Sequence, residues 1–166
     1  MKYKTQDSSI ESNNKVNDLL LELLQLECDK ISMLNCAKHY FWNTGLVQYK
    51  NFIKKVFKDC SKFKWDLEEY LMSRELDIPE LTLLKFIDFD SAEDVFEQMS
   101  SLEDKIFDKM MEIATIALEE KDVCALMFIT NVMDDAKKHI MCKAASAVNN
   151  KQDPNLLICE QHSTAN

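Results

Sequence analysis

Three charged residues stand where apolar ones are expected. Glu27, Glu103 and Lys137 each fall inside hydrophobic residues that recur at steps of three and four. That spacing gathers side chains on one side of a helix. One stripe runs Val16, Leu20, Leu23, Glu27, Ile31, Leu34, and another Met99, Glu103, Ile106, Met110, Ile113, Ala117. A third runs Val123, Leu126, Thr130, Met133, Lys137, Ile140, Ala144. A charge carried into a core must be paired or must titrate. Two carboxylates and one ammonium on inward stripes therefore predict a buried ion-pair network of Glu27, Glu103 and Lys137.

No other chemistry is as well marked. The six cysteines, Cys28, Cys36, Cys60, Cys124, Cys142 and Cys159, include no C-x-x-C pair, so a zinc site is not expected. Within helical patterns a free cysteine acts as a small apolar residue. His39, His139 and His162 show no mutual spacing for a metal or a triad. There is no Ser-His-Asp order and no Gly-rich phosphate loop.

Four long helices must position these residues. The apolar periodicity places them at about 13–42, 47–76, 92–120 and 122–149, with a short fifth at 155–164. Residues 1–12 are polar and are expected to be flexible. Gly45 is the expected breaker after the first helix. Asp77-Ile78-Pro79 stops the second, and Ser91 is the expected N-cap of the third, with acids in its first turn. The connection over 77–91 is long enough to run the height of a bundle. By contrast, the link at Glu120-Lys121-Asp122 is short and makes its helices antiparallel neighbours. The expected fold is all-α, a four-helix bundle with one long crossover between helices two and three, forming one domain over 13–166. The sparse turn residues agree: Gly occurs once and Pro twice in 166 residues, too few for a β-rich fold.

The net charge is −9, from 20 basic and 29 acidic residues. Such a chain is not expected to bind nucleic acid generally. No apolar run is long enough for a bilayer and no signal segment is visible at the start. A reducing, cytoplasmic setting fits the unpaired cysteines.

The ordered segments resemble the eukaryotic ferritin family over roughly residues 13–164. The resemblance rests on LQLE at Leu24–Glu27, YF at Tyr40–Phe41, KNF at Lys50–Phe52, LE at Leu102–Glu103, FI at Phe128–Ile129 and LLICEQHST at Leu156–Thr164. Ferritins are cages of about two dozen subunits that oxidise and store iron. Their catalytic subunits hold two irons with a Glu on the first helix, a Glu-x-x-His pair on the second, a Glu on the third and a Gln on the fourth. The resemblance puts those positions on Glu27, Phe63 with Asp66, Glu103 and Lys137. It implies that Phe63 supplies no ligand and fills the place of a bridging carboxylate. Asp66 is shorter than His, and Lys137 repels cations. Glu27, Glu103 and Asp66 would then be vestigial metal ligands, and the ferroxidase site would be degraded.

The resemblance also implies losses elsewhere. The mineral-facing side of the second helix reads Lys54, Phe57, Lys58, Ser61, Lys62 and Trp65, with no carboxylate. The pore acids fall on Met127 and Thr130. Lys54, Lys58 and Lys62 read either as a solvated face or as an anion-binding surface, and their alternation with aromatic residues resembles single-strand binding surfaces. The expectation is a structural, non-catalytic cage subunit of iron storage or homeostasis, with iron present only at the level of the assembly. It would form a homo-oligomer, or a hetero-oligomer with catalytic ferritin subunits, with no membrane or nucleic-acid partner. The alternative is an iron-independent helical scaffold, or a cage that holds anions.

Overall fold

The computed structural model describes residues 8–82, 86–133 and 140–151. It contains α1 (Ser8–Asn43), α2 (Val47–Ser73), α3 (Ala92–Glu120), α4 (Val123–Met133) and α5 (Ile140–Asn149). The last two fall within the single helix expected over 122–149. Lys137 and the expected fifth helix at 155–164 lie outside the described residues. Helix is already present from Ser8, within the segment expected to be flexible. The described residues form helices and no strands, as the scarcity of turn residues requires.

Local chemistry sets the helix ends. Ser91 Oγ accepts from the Asp94 backbone N–H at 3.0 Å, with Glu93 and Asp94 in the first turn of α3. That cap and the two acids offset the exposed N–H groups and the positive pole of the helix. Gly45, at φ +73°, supplies the left-handed residue after α1. α2 stops at Ser73 rather than 76, because Glu75 turns left-handed at φ 60° and the Leu76 N–H reaches back to Leu71 O at 3.2 Å. The same closure ends α3, where Lys121 is left-handed and Asp122 N–H donates to Ala117 O at 2.8 Å. Each closure satisfies carbonyls the helix cannot.

α1 packs against both α2 and α3, and α3 packs against α4 and α5. Tyr70 of α2 stacks on Phe128 of α4, with centroids 4.2 Å apart and planes at 8°. One end of the bundle is filled by rings. Phe96 lies 5.8 Å from Phe41, 5.7 Å from Tyr49 and 5.7 Å from Phe52. The crossover is pinned to α1 at two heights. The Gln25 amide donates to Thr82 O at 2.7 Å and accepts from Thr82 N–H at 3.1 Å. Phe89 is buried edge-on against Tyr40 at 5.9 Å.

The opposite end is tied by Arg74. Its guanidinium donates to Asn17 Oδ1 at 2.8 Å, Tyr70 Oη at 3.0 Å and Asp122 Oδ2 at 2.7 Å. Asp122 also caps α4, accepting from the Ala125 N–H at 3.0 Å through Oδ1. Asp122→Ala removes a cap and an ion pair together. It should cost about 2 kcal/mol, read as a lower midpoint in urea with an unchanged slope.

The inward stripe of α3 is as the sequence spacing predicts: Met99, Glu103, Ile106, Met110, Ile113 and Ala117 are all buried. The stripe assigned to the fourth helix holds in part. Ala144 is buried and Leu126 and Met133 are half-buried, but Val123 is 61% exposed and Thr130 is exposed, while Ala125 and Ile129 are buried in their place. The polar Thr130 is better placed in water, and Ala125 and Ile129 are apolar.

Candidate functional site

Midway along the bundle the core carries charge. Glu27 is 1% exposed, Lys30 7% and Glu103 6%, and they are the buried charged side chains among the described residues. Glu27 and Lys30 are three apart on α1, so they share one side of that helix. Glu103 comes from α3 and Cys60 from α2. The Lys30 ammonium donates to Glu103 Oε1 in a direct ion pair, and it also hydrogen-bonds the Cys60 sulfur. Glu27 Oε2 is buried without a hydrogen-bond partner.

The electrostatics follow from burial and from this pairing. Burial pushes the Glu27 carboxyl up to about 7, against the pull of Lys30 and with the repulsion of Glu103. Burial also pushes the Cys60 thiol up to about 12, so it stays neutral. For Lys30, burial disfavours the charge, but the acids Glu27 and Glu103 and the hydrogen bond to Glu103 outweigh burial and hold the ammonium protonated. The site therefore contains a fixed cation, a carboxylate bonded to it, a neutral thiol and a Glu that changes charge near neutrality.

A profile of the ferritin-like domain matches residues 17–144. The chain belongs to the ferritin family. Solved ferritin structures share its fold at low identity. A humanized archaeal ferritin is 15% identical, covering 92% of this chain and 95% of its own, with TM-score 0.76. An open-pore ferritin from the hyperthermophilic archaeon Archaeoglobus fulgidus is 16% identical, covering 90% and 93%, with TM-score 0.68. A variant of PmFTN, solved after soaking in iron, is 15% identical, covering 81% and 91%, with TM-score 0.64. No curated protein matches the chain significantly.

For a ferritin, the positions expected at the metal site are unevenly arranged. Glu27 and Glu103 are both buried and both face Lys30. Asp66 is exposed on α2 and is not brought to them. Phe63 is half-buried, and its ring lies 6.5 Å from Phe128 of α4, near-parallel at 23°. Its ring thus packs on α4. Among the described residues no three His, Cys, Asp or Glu side chains form a group able to hold a metal.

Iron fits this donor set poorly. A ferrous ion needs several oxygen or nitrogen ligands free to converge. Here one acid is bonded to an ammonium, the thiol is protonated and Glu27 offers one unpartnered oxygen. A divalent ion about 4 Å from the ammonium would also meet about 8 kcal/mol of repulsion at an effective dielectric of roughly 20.

Lys30 escaped the sequence reading because the α1 stripe stepped from Glu27 to the apolar Ile31. A strict alternation of four and three from Val16 gives 20, 23, 27, 30, 34, 37 and 41, all of which are buried. Ile31 is only half-buried. Following the period instead of the residue type would have found the lysine.

Proposed function

We propose that this chain is a cage-forming ferritin subunit of iron storage or homeostasis that has no working ferroxidase centre and relies on catalytic partner subunits for oxidation. The observation that carries the reading is the Lys30 ammonium bonded to Glu103 beside Glu27. It gives these acids an internal cation in place of a metal. Lys30 of α1 is thus a buried cation beside these acids, in addition to the Lys137 expected from the sequence. The ferritin fold supports assembly into a closed symmetric particle, and the intact bundle core gives such a subunit its structural role.

Two measurements test it. Sedimentation of the protein alone, and co-expressed with a catalytic ferritin, should show a particle of about two dozen subunits in at least the mixed sample. A monomer or dimer under both conditions would favour a lone helical scaffold. Ferrous oxidation by the pure protein should proceed no faster than the uncatalysed reaction in the same buffer. Rapid oxidation, comparable with a catalytic ferritin, would sink the proposal.

A further inference from the structure

α1 and α3 leave a groove on the side of the bundle that they form together. They run antiparallel, since Lys30 pairs with Glu103 and Lys109 with Glu22. The groove encloses about 330 Å³, within the range of small-molecule sites. Its position matters in a closed particle. The exposed lysines of α2, Lys54, Lys58 and Lys62, lie on the side expected to face the cavity and are closed there to a ligand from outside. The groove is lined by α1 and α3 alone, and α2 stacks on α4 on the opposite side of the bundle.

The floor of the groove is apolar. Met33 of α1 and Leu102 of α3 are each 8% exposed, and Leu26 is half-buried beside them. Charge is confined to the rim, with its two signs on different walls. Asp29 stands on α1 and Lys105 on α3. Asp29 is set in place, because Gln25 donates to its Oδ1 at 2.8 Å and is itself held by Thr82 of the crossover. Gln98, on the α3 wall, donates its amide N–H to Asp94 at 2.8 Å, which leaves its carbonyl oxygen to accept. Ser101 and Lys105 are exposed and make no hydrogen bond or ion pair among the described residues. Three apolar side chains thus meet two positioned acceptors and two unused donors.

We propose that this groove binds a small zwitterion with an apolar side chain, a free apolar amino acid being the simplest. Its ammonium group pairs with Asp29 and Gln98, its carboxylate with Lys105 and Ser101, and its side chain covers Leu26, Met33 and Leu102. Ser101 and Lys105 are one turn apart on α3, about 6 Å along the axis, which lets both donors reach one carboxylate. A simple anion would meet the Asp29 carboxylate, and a simple cation the Lys105 ammonium, so a ligand with only one of the charges is disfavoured. The inference uses none of the buried charges and stands apart from the ferroxidase reading.

Saturation-transfer NMR on the whole protein, in whatever assembly it forms, tests this with leucine as the probe. The leucine methyl signals should take up saturation, with a dissociation constant of about 0.1–1 mM for so small a ligand. Isoamylamine lacks the carboxylate and isocaproate lacks the ammonium, and each should bind about tenfold more weakly or worse. Glycine lacks the apolar side chain and should also lose about tenfold. Lys105→Gln and Asp29→Asn, both at the rim and checked for unchanged helical circular dichroism, should each weaken leucine by about tenfold. No transfer to leucine would overturn the proposal, and so would unchanged binding by both variants. Equal binding of leucine and isocaproate would make the groove a site for apolar anions and overturn it as well.

Discussion

Glu27→Gln should stabilise the protein at pH 8 and leave it nearly unchanged at pH 5. The Glu27 carboxyl is pushed from 4.5 up to about 7 by burial. An acid whose folded value is raised contributes its stability below the unfolded value, where both states are protonated. That contribution is lost as pH rises through the folded value, because unfolding then releases a proton the buried site held. The window is therefore about pH 4.5 to 7, and the loss above it amounts to about 3 kcal/mol. Gln keeps the shape of the protonated acid and cannot ionise. Thermal unfolding across that window should show the two proteins together at acidic pH and separating as pH rises. Above neutrality the gap should reach roughly 5–10 °C for a chain of this size. Parallel curves would mean that Glu27 is ionised throughout, held by Lys30.

The same residue shows what could be read from sequence and what could not. Glu27 and Glu103 were legible because an acid in an apolar stripe breaks a pattern that periodicity makes visible, and both are buried. Ser91, Gly45 and the short turn before Asp122 were legible because caps and left-handed residues are local chemistry. Lys30 was not, since one misplaced step in the α1 period moved it to the outside. The α4 face was misread in part, for a related reason. Eleven uncharged residues, Val123–Met133, offer little contrast between sides, so which face turns inward is decided by packing against α3 and by the Phe128 stack on Tyr70. The Phe63 contact with Phe128 depends on that same choice. Tertiary register, unlike helix existence, carries almost no local signal when a helix is apolar all round.

Replacing Lys30 is the other large effect. Lys30→Met retains length and apolar volume but removes the cation that Glu103 Oε1 is bonded to. Removing one partner of a buried pair leaves an uncompensated charge and should cost about 3–5 kcal/mol at pH 7. The cost should shrink at acidic pH, where the abandoned acids can take up protons. The double variant Lys30→Met, Glu103→Leu should recover most of the loss, because replacing both partners of a buried pair with well-packed apolar groups is often neutral. If the double variant unfolds as easily as the single one, the pair is not the source of the loss. The single variant also addresses function. With the ammonium gone, Glu27 and Glu103 have no buried cation beside them among the described residues, and cobalt or another divalent ion should raise the melting temperature of Lys30→Met but not of the parent. That contrast would identify the ammonium as the group standing where a metal would otherwise bind. Equal shifts in both proteins would place the metal elsewhere and remove the physical basis for a subunit without ferroxidase activity.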